Sequence, residues 1–174
     1  MSRAAESRSP GPRARVRPFA DARRRADPGF EGFALGDSPF YLLVRTAGLY
    51  GLQMSRALKA VGMDLPSWRA LMIVHEQSPS SVSEIAQRSV TPLSTMTRVV
   101  QRLERKGLVR LARRGTDSRV TEVFTTAAGE RAAMKVRSAA SRVYTSVFAS
   151  YSARDIESLN HILRDLYGKL SAYS

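Results

Sequence analysis

Apolar residues recur every three or four positions over most of this chain, which is the spacing of amphipathic helices. The first such run follows Asp37, a residue type that caps helices, and Pro39, which fits a first turn. It ends near Gly62, so the pattern predicts one long helix over residues 37–62. Small residues in its middle, such as Gly48, leave room for a close partner or a cavity. Its apolar positions are Phe40, Val44, Ala47, Gly51, Met54, Leu58 and Val61.

Two short helices are predicted next. One opens at Pro66 and stops before Pro79, because the residue before a proline disfavours helical geometry. The other begins at Ser81 or Ser83, where Ser81 and Glu84 have the spacing of a capping box.

A fourth helix follows a tight turn at Ser89 and Val90. Thr91 is expected to cap it, and it is expected to span residues 92–106 and end at Gly107. A short helix, a tight turn and a second helix form a helix-turn-helix unit. The positions that this fourth helix is expected to bury are Leu93, Met96, Val99, Val100 and Leu103.

The spacing then changes to two short β-prone runs, residues 108–112 and 120–124. Between them, residues 113–119 are polar and include Gly115 and Asp117. Two strands around such a turn form a hairpin.

Two more helices complete the pattern. Thr126 is expected to cap the fifth, which reaches about Ser150, and Ser152 with Asp155 is expected to cap the sixth. The apolar stripe of the sixth helix follows a 3-4-3-4-3 spacing that is too regular for a free surface helix, so it is expected to meet another helix. The stripe comprises Ile156, Leu159, Leu163, Leu166, Leu170 and Tyr173. The predicted fold class is mainly α with a small β-hairpin.

Residues 1–36 lack this periodicity and are rich in Arg, Ala, Pro, Ser and Gly. Such a segment buries too little apolar surface to offset its chain entropy, so we expect a mostly disordered arm. Its arginines at 23–25 either touch DNA phosphates or remain a solvated tail.

Composition excludes several kinds of chemistry. The chain has no cysteine, and its two histidines, His75 and His161, are too few for a convincing transition-metal site. No apolar run approaches the roughly 20 residues that cross a bilayer, and no apolar segment follows the arginine-rich start. We therefore expect no cofactor, no membrane span, no secretory signal and a cytoplasmic location.

The net charge of +13 comes almost wholly from arginine, whose planar fork suits phosphate and guanine. Residues 88–119 carry nine basic and two acidic residues, whereas the terminal helices have mixed charge. This concentration places a partner's phosphates opposite the fourth helix and the hairpin.

Small hydroxyl side chains and a guanidinium in the first two turns of the fourth helix can approach base edges in a major groove. The alternative is that the hydroxyls only cap and solvate the helix. Arginines of the hairpin, above all Arg119, suit a narrow minor groove, with Asp117 either fixing the loop or orienting one of them. A merely solvated hairpin has the same composition. The candidate DNA contacts are Thr91, Ser94, Thr95, Thr97, Arg98, Arg102, Arg113, Arg114, Asp117 and Arg119.

The segment SVTPLSTMTRVVQRLERKGLVR at residues 89–110 resembles the recognition helix and first wing strand of MarR-family regulators. Residues 117–119, followed by TAAG at 126–129, resemble the wing and the start of the next helix. Ser118 and Thr125 depart from this pattern, because the family often has a charged residue and usually a leucine there.

The resemblance implies a winged helix-turn-helix domain over residues 63–126, with dimerisation helices over 37–62 and 127–174. It implies a homodimer on a pseudo-palindromic operator in double-stranded DNA. Family members commonly repress transcription and release DNA when a small, often aromatic, anion binds. The candidate dimer contacts are Phe40, Val44, Ile156, Leu159, Leu163, Leu166 and Leu170.

Aromatic and cationic residues of the first two helices are candidates for the effector site. They suit a small aromatic carboxylate, a phenolic acid or a thioester of one. Alternatively, Trp68 and Met72 belong to the core, His75 is a satisfied surface histidine, and the glycines only permit close helix packing. The candidates are Arg45, Tyr50, Gln53, Trp68, Arg69, Met72 and His75.

The sequence therefore favours a sequence-specific transcription regulator over two rival functions. A non-specific architectural DNA-binding protein has the same charge but does not need the exposed hydroxyls. A helical adaptor leaves the basic hairpin unexplained. An enzyme is not expected, because no carboxylate pair, activated nucleophile or phosphate-binding glycine loop occurs.

Overall fold

The computed structural model describes residues 19–173, which fall into two compact units. One ends at Leu49 and the other begins at Tyr50. The first eighteen residues of the predicted arm lie outside the described residues.

The first unit corrects the expectation of a disordered arm for residues 19–36. Helix α1 spans Phe19–Ala26, and a short 3-10 helix spans Leu35–Asp37. Arg25 forms an ion pair with Asp37. The backbone carbonyl of Arg25 accepts a hydrogen bond of 2.8 Å from the Ala34 N–H. Alanine and arginine are good helix formers, so the low apolar content did not imply disorder.

Helix α2 spans Pro39–Lys59 and crosses from the first unit into the second. It begins later than the sequence suggested, because Asp37 belongs to the 3-10 helix and is not its cap. The first helical bond runs from the Leu42 N–H to the Ser38 carbonyl, at 3.0 Å.

Three short helices and a small sheet, together with residues of α2 and of a later helix, form the core of the second unit. The helices are α3 (Leu65–Glu76), α4 (Val82–Arg88) and α5 (Leu93–Arg105), and α3 packs against α5. The fully buried apolar side chains at the centre of this core are Met54, Leu58, Leu71, Val74, Ile85, Met96, Val100, Leu103, Val123 and Val136.

The predicted caps have mixed outcomes. The capping box of Ser81 and Glu84 at the start of α4 is confirmed. Helix α3 is capped by Asp64, which the sequence reasoning missed; its carboxylate accepts from the Ser67 N–H at 2.8 Å. Thr91 is not the cap of α5, because its hydroxyl donates to the Ser89 carbonyl.

The end of α5 is as predicted, and its start is not. Gly107 has a φ of +68°, the left-handed geometry that lets the chain leave the helix, and the Leu108 N–H donates to the Leu103 carbonyl at 3.0 Å. Leu93, expected to be buried, is 52% exposed at the N-terminal end of the helix.

The sheet has three antiparallel strands in the order β1-β3-β2: β1 (Ser80–Ser81), β2 (Val109–Arg114) and β3 (Asp117–Thr125). The strands of the hairpin are longer than predicted, so only Gly115 and Thr116 separate them. Strand β1 was not predicted, because two residues are too few to show the alternation of apolar and polar side chains that indicates a strand.

The last two helices are α6 (Ala127–Phe148) and α7 (Ala153–Ser171), and both predicted caps are confirmed. The Thr126 hydroxyl accepts from the Gly129 N–H at 3.0 Å. Helix α6 packs on α3, whereas α7 has no buried residue. None of the helices described between residues 19 and 173 has the length and apolar character needed to cross a membrane.

Candidate nucleic-acid interface and ligand groove

The N-terminal half of α5 presents small polar side chains and one arginine on its outer face. Ser94, Thr95 and Arg98 are exposed. Thr97 is half-buried, and its hydroxyl donates to the Leu93 carbonyl at 2.8 Å. The exposed hydroxyls lie close to the helix axis, so a groove of DNA can approach this end of α5 closely.

The turn before α5 has a strained residue. Val90 has a φ of +50°, where a β-branched side chain is unusual, and its side chain is exposed. Beside it, the Ser89 hydroxyl donates to the Ile85 carbonyl at 2.7 Å. The hydrogen bond of Ser89 helps to hold this turn, although Val90 occupies a backbone conformation that glycine adopts more easily.

Arg102, one of the predicted DNA contacts, has partners within the fold. Its guanidinium lies 2.8 Å from the Asp64 carboxylate and donates to the Ser67 hydroxyl at 3.0 Å. This side chain therefore links α5 to the start of α3, and its guanidinium has an ion-pair partner and a hydrogen-bond partner within the fold.

Two hairpin arginines also have partners within the sheet. A guanidinium nitrogen of Arg113 donates to the Ser118 carbonyl at 2.6 Å, and the Arg114 Nε donates to the Glu122 carboxylate at 2.8 Å. Their positively charged groups are thus held by neighbouring strand residues.

Arg119 differs, because its side chain is 89% exposed while one carboxylate fixes its direction. Asp117 accepts from the Arg119 backbone N–H at 3.0 Å and from its Nε at 3.1 Å. These hydrogen bonds hold the pKa of Asp117 below its usual range. The expectation that Asp117 orients an arginine is therefore confirmed.

The positive charge of residues 88–119, which form the end of α4, α5 and the hairpin, remains largely uncompensated. Four of the nine basic residues between 88 and 119 pair with carboxylates. The other five have no carboxylate partner within residues 19–173: Arg98, Arg105, Lys106, Arg110 and Arg113. Arg110, which the sequence reasoning did not select, lies 4.2 Å above the Phe124 ring centroid. This face can attract a polyanion.

An open groove of about 560 Å³ lies in the second unit between α2, α3 and the turn before α5. Its lining includes four of the seven predicted effector residues. Burial raises the pKa of the Tyr50 phenol, and the nearby charge of Arg69 opposes that effect. The Trp68 Nε1 is buried and has no hydrogen-bond partner in the part of the chain that the structure describes. The lining residues are Tyr50, Trp68, Arg69, Met72, Ile73, Arg88, Ser89 and Val90.

The other three predicted effector residues do not line this groove. His75 faces α6, where its Nδ1 lies 2.7 Å from the Glu130 carboxylate. Gln53 is exposed on α2. Arg45 belongs to the first unit, where its guanidinium lies 5.4 Å from the Tyr41 ring centroid.

The predicted dimer residues are exposed or half-buried in the single chain. Phe40 and Val44 of α2 are exposed. On α7, Leu159, Leu163 and Leu170 are exposed. Ile156 and Leu166 are half-buried. Among residues 19–173, no neighbour fully covers any residue of the apolar stripe of α7.

No group of three carboxylate or imidazole side chains within residues 19–173 lies close enough to hold a metal ion.

Comparison with known proteins gives a consistent result. A sequence model of the MarR family matches residues 61–120. The chain is 34% identical over 144 residues to the HTH-type transcriptional repressor IacR of Pseudomonas putida, covering 83% of this chain and 86% of that protein.

Solved structures have the same fold. CouR from Rhodococcus jostii RHA1 bound to p-coumaroyl-CoA has a TM-score of 0.71 at 21% identity, over 76% of this chain and 94% of CouR. BpsR from Bordetella bronchiseptica, whose DNA binding is regulated by 6-hydroxynicotinic acid, has a TM-score of 0.70 at 16% identity, over 78% and 96% of the two chains.

Proposed function

The chain belongs to the MarR family, and we propose that it is a sequence-specific repressor that a small aromatic acid, or its thioester, releases from DNA. It binds a pseudo-palindromic operator as a homodimer and acts in the cytoplasm, as a regulator and not as an enzyme. The observation that carries this proposal is the exposed N-terminal face of α5 beside a basic hairpin.

The DNA-binding part rests on how the polar groups are arranged. Ser94, Thr95 and Arg98 supply donors and acceptors at the end of α5 that can enter a major groove. Arg119 extends from the hairpin with its direction fixed by Asp117, which suits an adjacent minor groove. A non-specific architectural protein needs the charge but not these hydroxyls, so we favour sequence-specific binding.

The homodimer rests on α7. A helix is stabilised mostly by packing its apolar face, and α7 buries none of its residues in its own chain. Leu159, Leu163 and Leu170 expose a continuous apolar stripe, and a second copy presents the same stripe in return. The two copies then place two α5 helices on two half-sites.

The effector proposal rests on the groove. Trp68 and Tyr50 supply aromatic surfaces, and Arg69 supplies a cation. An aromatic acid matches all of these groups. The groove also reaches Ser89 and Val90, next to the DNA-binding end of α5, so an occupant contacts the turn that positions that helix. Structures of CouR and BpsR concern aromatic compounds of this kind.

Arg119→Ala is expected to weaken operator binding roughly fivefold to a hundredfold and to make the salt dependence shallower by about one unit. The side chain is 89% exposed, so the fold and the dimer are expected to stay intact. Fluorescence anisotropy at several salt concentrations measures both quantities on an operator selected from random DNA. Arg164→Ala, an exposed arginine of α7, is the control and is expected to change neither. Unchanged affinity and slope for Arg119→Ala would remove this residue from the site.

Benzoates, hydroxybenzoates, hydroxycinnamates and their thioesters are expected to include at least one compound that releases the operator at millimolar concentration or below. A ligand that binds the DNA-free form more tightly must lower operator affinity by the same coupling factor. Trp68→Ala is expected to weaken that ligand at least tenfold, because it removes the aromatic wall.

Gln53→Ala is the matched control for this prediction, because Gln53 is a neighbouring polar residue that does not line the groove. It is expected to leave the affinity of the ligand unchanged. Equal losses in both variants, or no loss in Trp68→Ala, would contradict the assignment of the groove.

A further inference from the structure

A second, smaller cavity of about 270 Å³ lies beyond the C-terminal end of α5, away from the N-terminal half of that helix and from the groove. Three segments build it: the connection between α2 and α3 at residues 61–63, the junction after α5 at Lys106 and Leu108, and the first half of α6. It shares no lining residue with the groove.

The floor of this cavity is apolar. Met63 and Val136 are buried members of the core, and Leu108 is packed against that core. Ala128 and Ala132 also line the cavity, and their small side chains leave space above the floor. The floor therefore accommodates a short apolar group.

The rim of the cavity is cationic. It carries Lys106, Arg131 and Lys135, and none of the acidic residues between 19 and 173 lines the cavity. Within residues 19–173 none of these three has a carboxylate partner; Lys106 donates only to the neutral Gly62 carbonyl, at 3.2 Å.

Two of these cations are like charges on neighbouring turns of one helix. Arg131 and Lys135 are four residues apart on α6, so their like charges lie side by side on one helix face. Lys106, at the end of α5, adds a third positive charge at the same opening. An anion between them removes this repulsion.

We infer that this cavity binds a small organic anion, a carboxylate or phosphate carried on a short apolar body. The cations hold the anionic group, and the apolar floor holds the body. The volume is about half that of the groove, which restricts the ligand to roughly one ring. An occupant bridges the end of α5 to α6, so binding is expected to stabilise the folded protein.

The test uses phenyl phosphate as the probe, with inorganic phosphate for comparison, on the full chain in the presence of fixed salt. Calorimetry is expected to give saturable binding of phenyl phosphate and at least tenfold weaker binding of inorganic phosphate. Thermal unfolding is expected to shift upward with phenyl phosphate. The double substitution of Arg131→Gln and Lys135→Gln is expected to weaken the probe at least tenfold without changing the fold, because both side chains are exposed.

Two controls distinguish binding in this cavity from attraction to the general charge of α6 and from binding in the groove. Arg142→Gln removes an exposed arginine of the same helix that does not line the cavity, and it is expected to leave binding unchanged. Trp68→Ala is also expected to leave it unchanged, because Trp68 lines only the groove.

Several results would overturn the inference. One is an absence of saturable binding by phenyl phosphate at millimolar concentration. Another is a loss of affinity for the probe in Arg142→Gln equal to that in the double variant. A third is a loss of affinity in Trp68→Ala, which would place the probe in the groove. Equal binding of inorganic phosphate would remove the role of the apolar floor. A shallower salt dependence of operator binding in the double variant, without loss of the probe, would assign these cations to the DNA backbone instead.

Discussion

Gly129→Ala is expected to destabilise the protein by more than about 3 kcal/mol, a large fraction of the stability of an ordinary domain. A Cβ at this position would lie 2.0 Å from the Leu108 carbonyl oxygen and 3.0 Å from the Thr125 Cγ2. The closest atom belongs to the backbone, so no side-chain rotation relieves the overlap.

The surroundings of Gly129 cannot shift at low cost. The Leu108 carbonyl accepts from the Thr126 hydroxyl at 3.1 Å and from the Thr126 N–H at 3.3 Å, so it is part of the cap of α6. Moving it separates α6 from the start of β2 and breaks the cap. Thermal or urea unfolding measures the loss. Gly32→Ala, where an added Cβ meets nothing within 4 Å, is the control, and a midpoint for Gly129→Ala close to that of the wild type would contradict the packing described for α6.

Leu163→Asp and Leu166→Asp are expected to abolish the homodimer and to lower operator affinity at least about a hundredfold. In the proposed dimer each leucine is covered by a second copy, so an aspartate places an unpaired charge in an apolar interface. A single copy contacts one half-site only, so it lacks the higher operator affinity that comes from binding two half-sites at once. Sedimentation measures the mass, and anisotropy measures the affinity.

His161→Asp is the matched control on α7, because His161 is exposed and does not belong to the apolar stripe. It is expected to remain dimeric with unchanged affinity for the operator. Stable dimers of Leu163→Asp with normal operator affinity would contradict the proposed interface. If wild-type chains sediment as monomers, the stripe of α7 does not serve dimerisation.

Local patterns predicted the existence of each helix of the second unit and several of its ends. The capping boxes at Ser81 and Ser152, the cap at Thr126 and the left-handed exit at Gly107 each depend on residues three or four positions apart, so sequence spacing contains the required information. The same reasoning failed for Thr91, because its hydroxyl bonds the turn before it instead of the helix after it.

Contacts distant in sequence account for the features of the candidate site that local patterns did not predict. Arg102 was predicted to contact DNA, but its partner Asp64 is 38 residues away, and nothing in the local pattern reveals that pair. His75 was predicted to contact an effector, but it faces Glu130 on α6. By contrast, Tyr50, Trp68, Arg69 and Met72 line one groove, because the spacing of α2 and α3 already placed them on suitable faces.

One departure from the family pattern also has a structural role. Thr125 stands where the family usually has leucine, and its hydroxyl donates to the Val74 carbonyl at 3.2 Å. Its N–H has a partner as well, because it donates to the Ser78 hydroxyl at 3.1 Å. The threonine thus joins β3 to the end of α3 through hydrogen bonds.

The most direct test of the central claim is the ratio of affinities for selected and random DNA. Sequences enriched from a random library by the full chain are compared with a scrambled duplex of equal length, at one physiological salt concentration. We expect a pseudo-palindrome bound at least about a thousandfold more tightly than the scrambled duplex, with two half-sites about one helical turn apart. Enrichment of no common sequence, or a ratio below about tenfold, would contradict sequence-specific repression and favour an architectural DNA-binding protein.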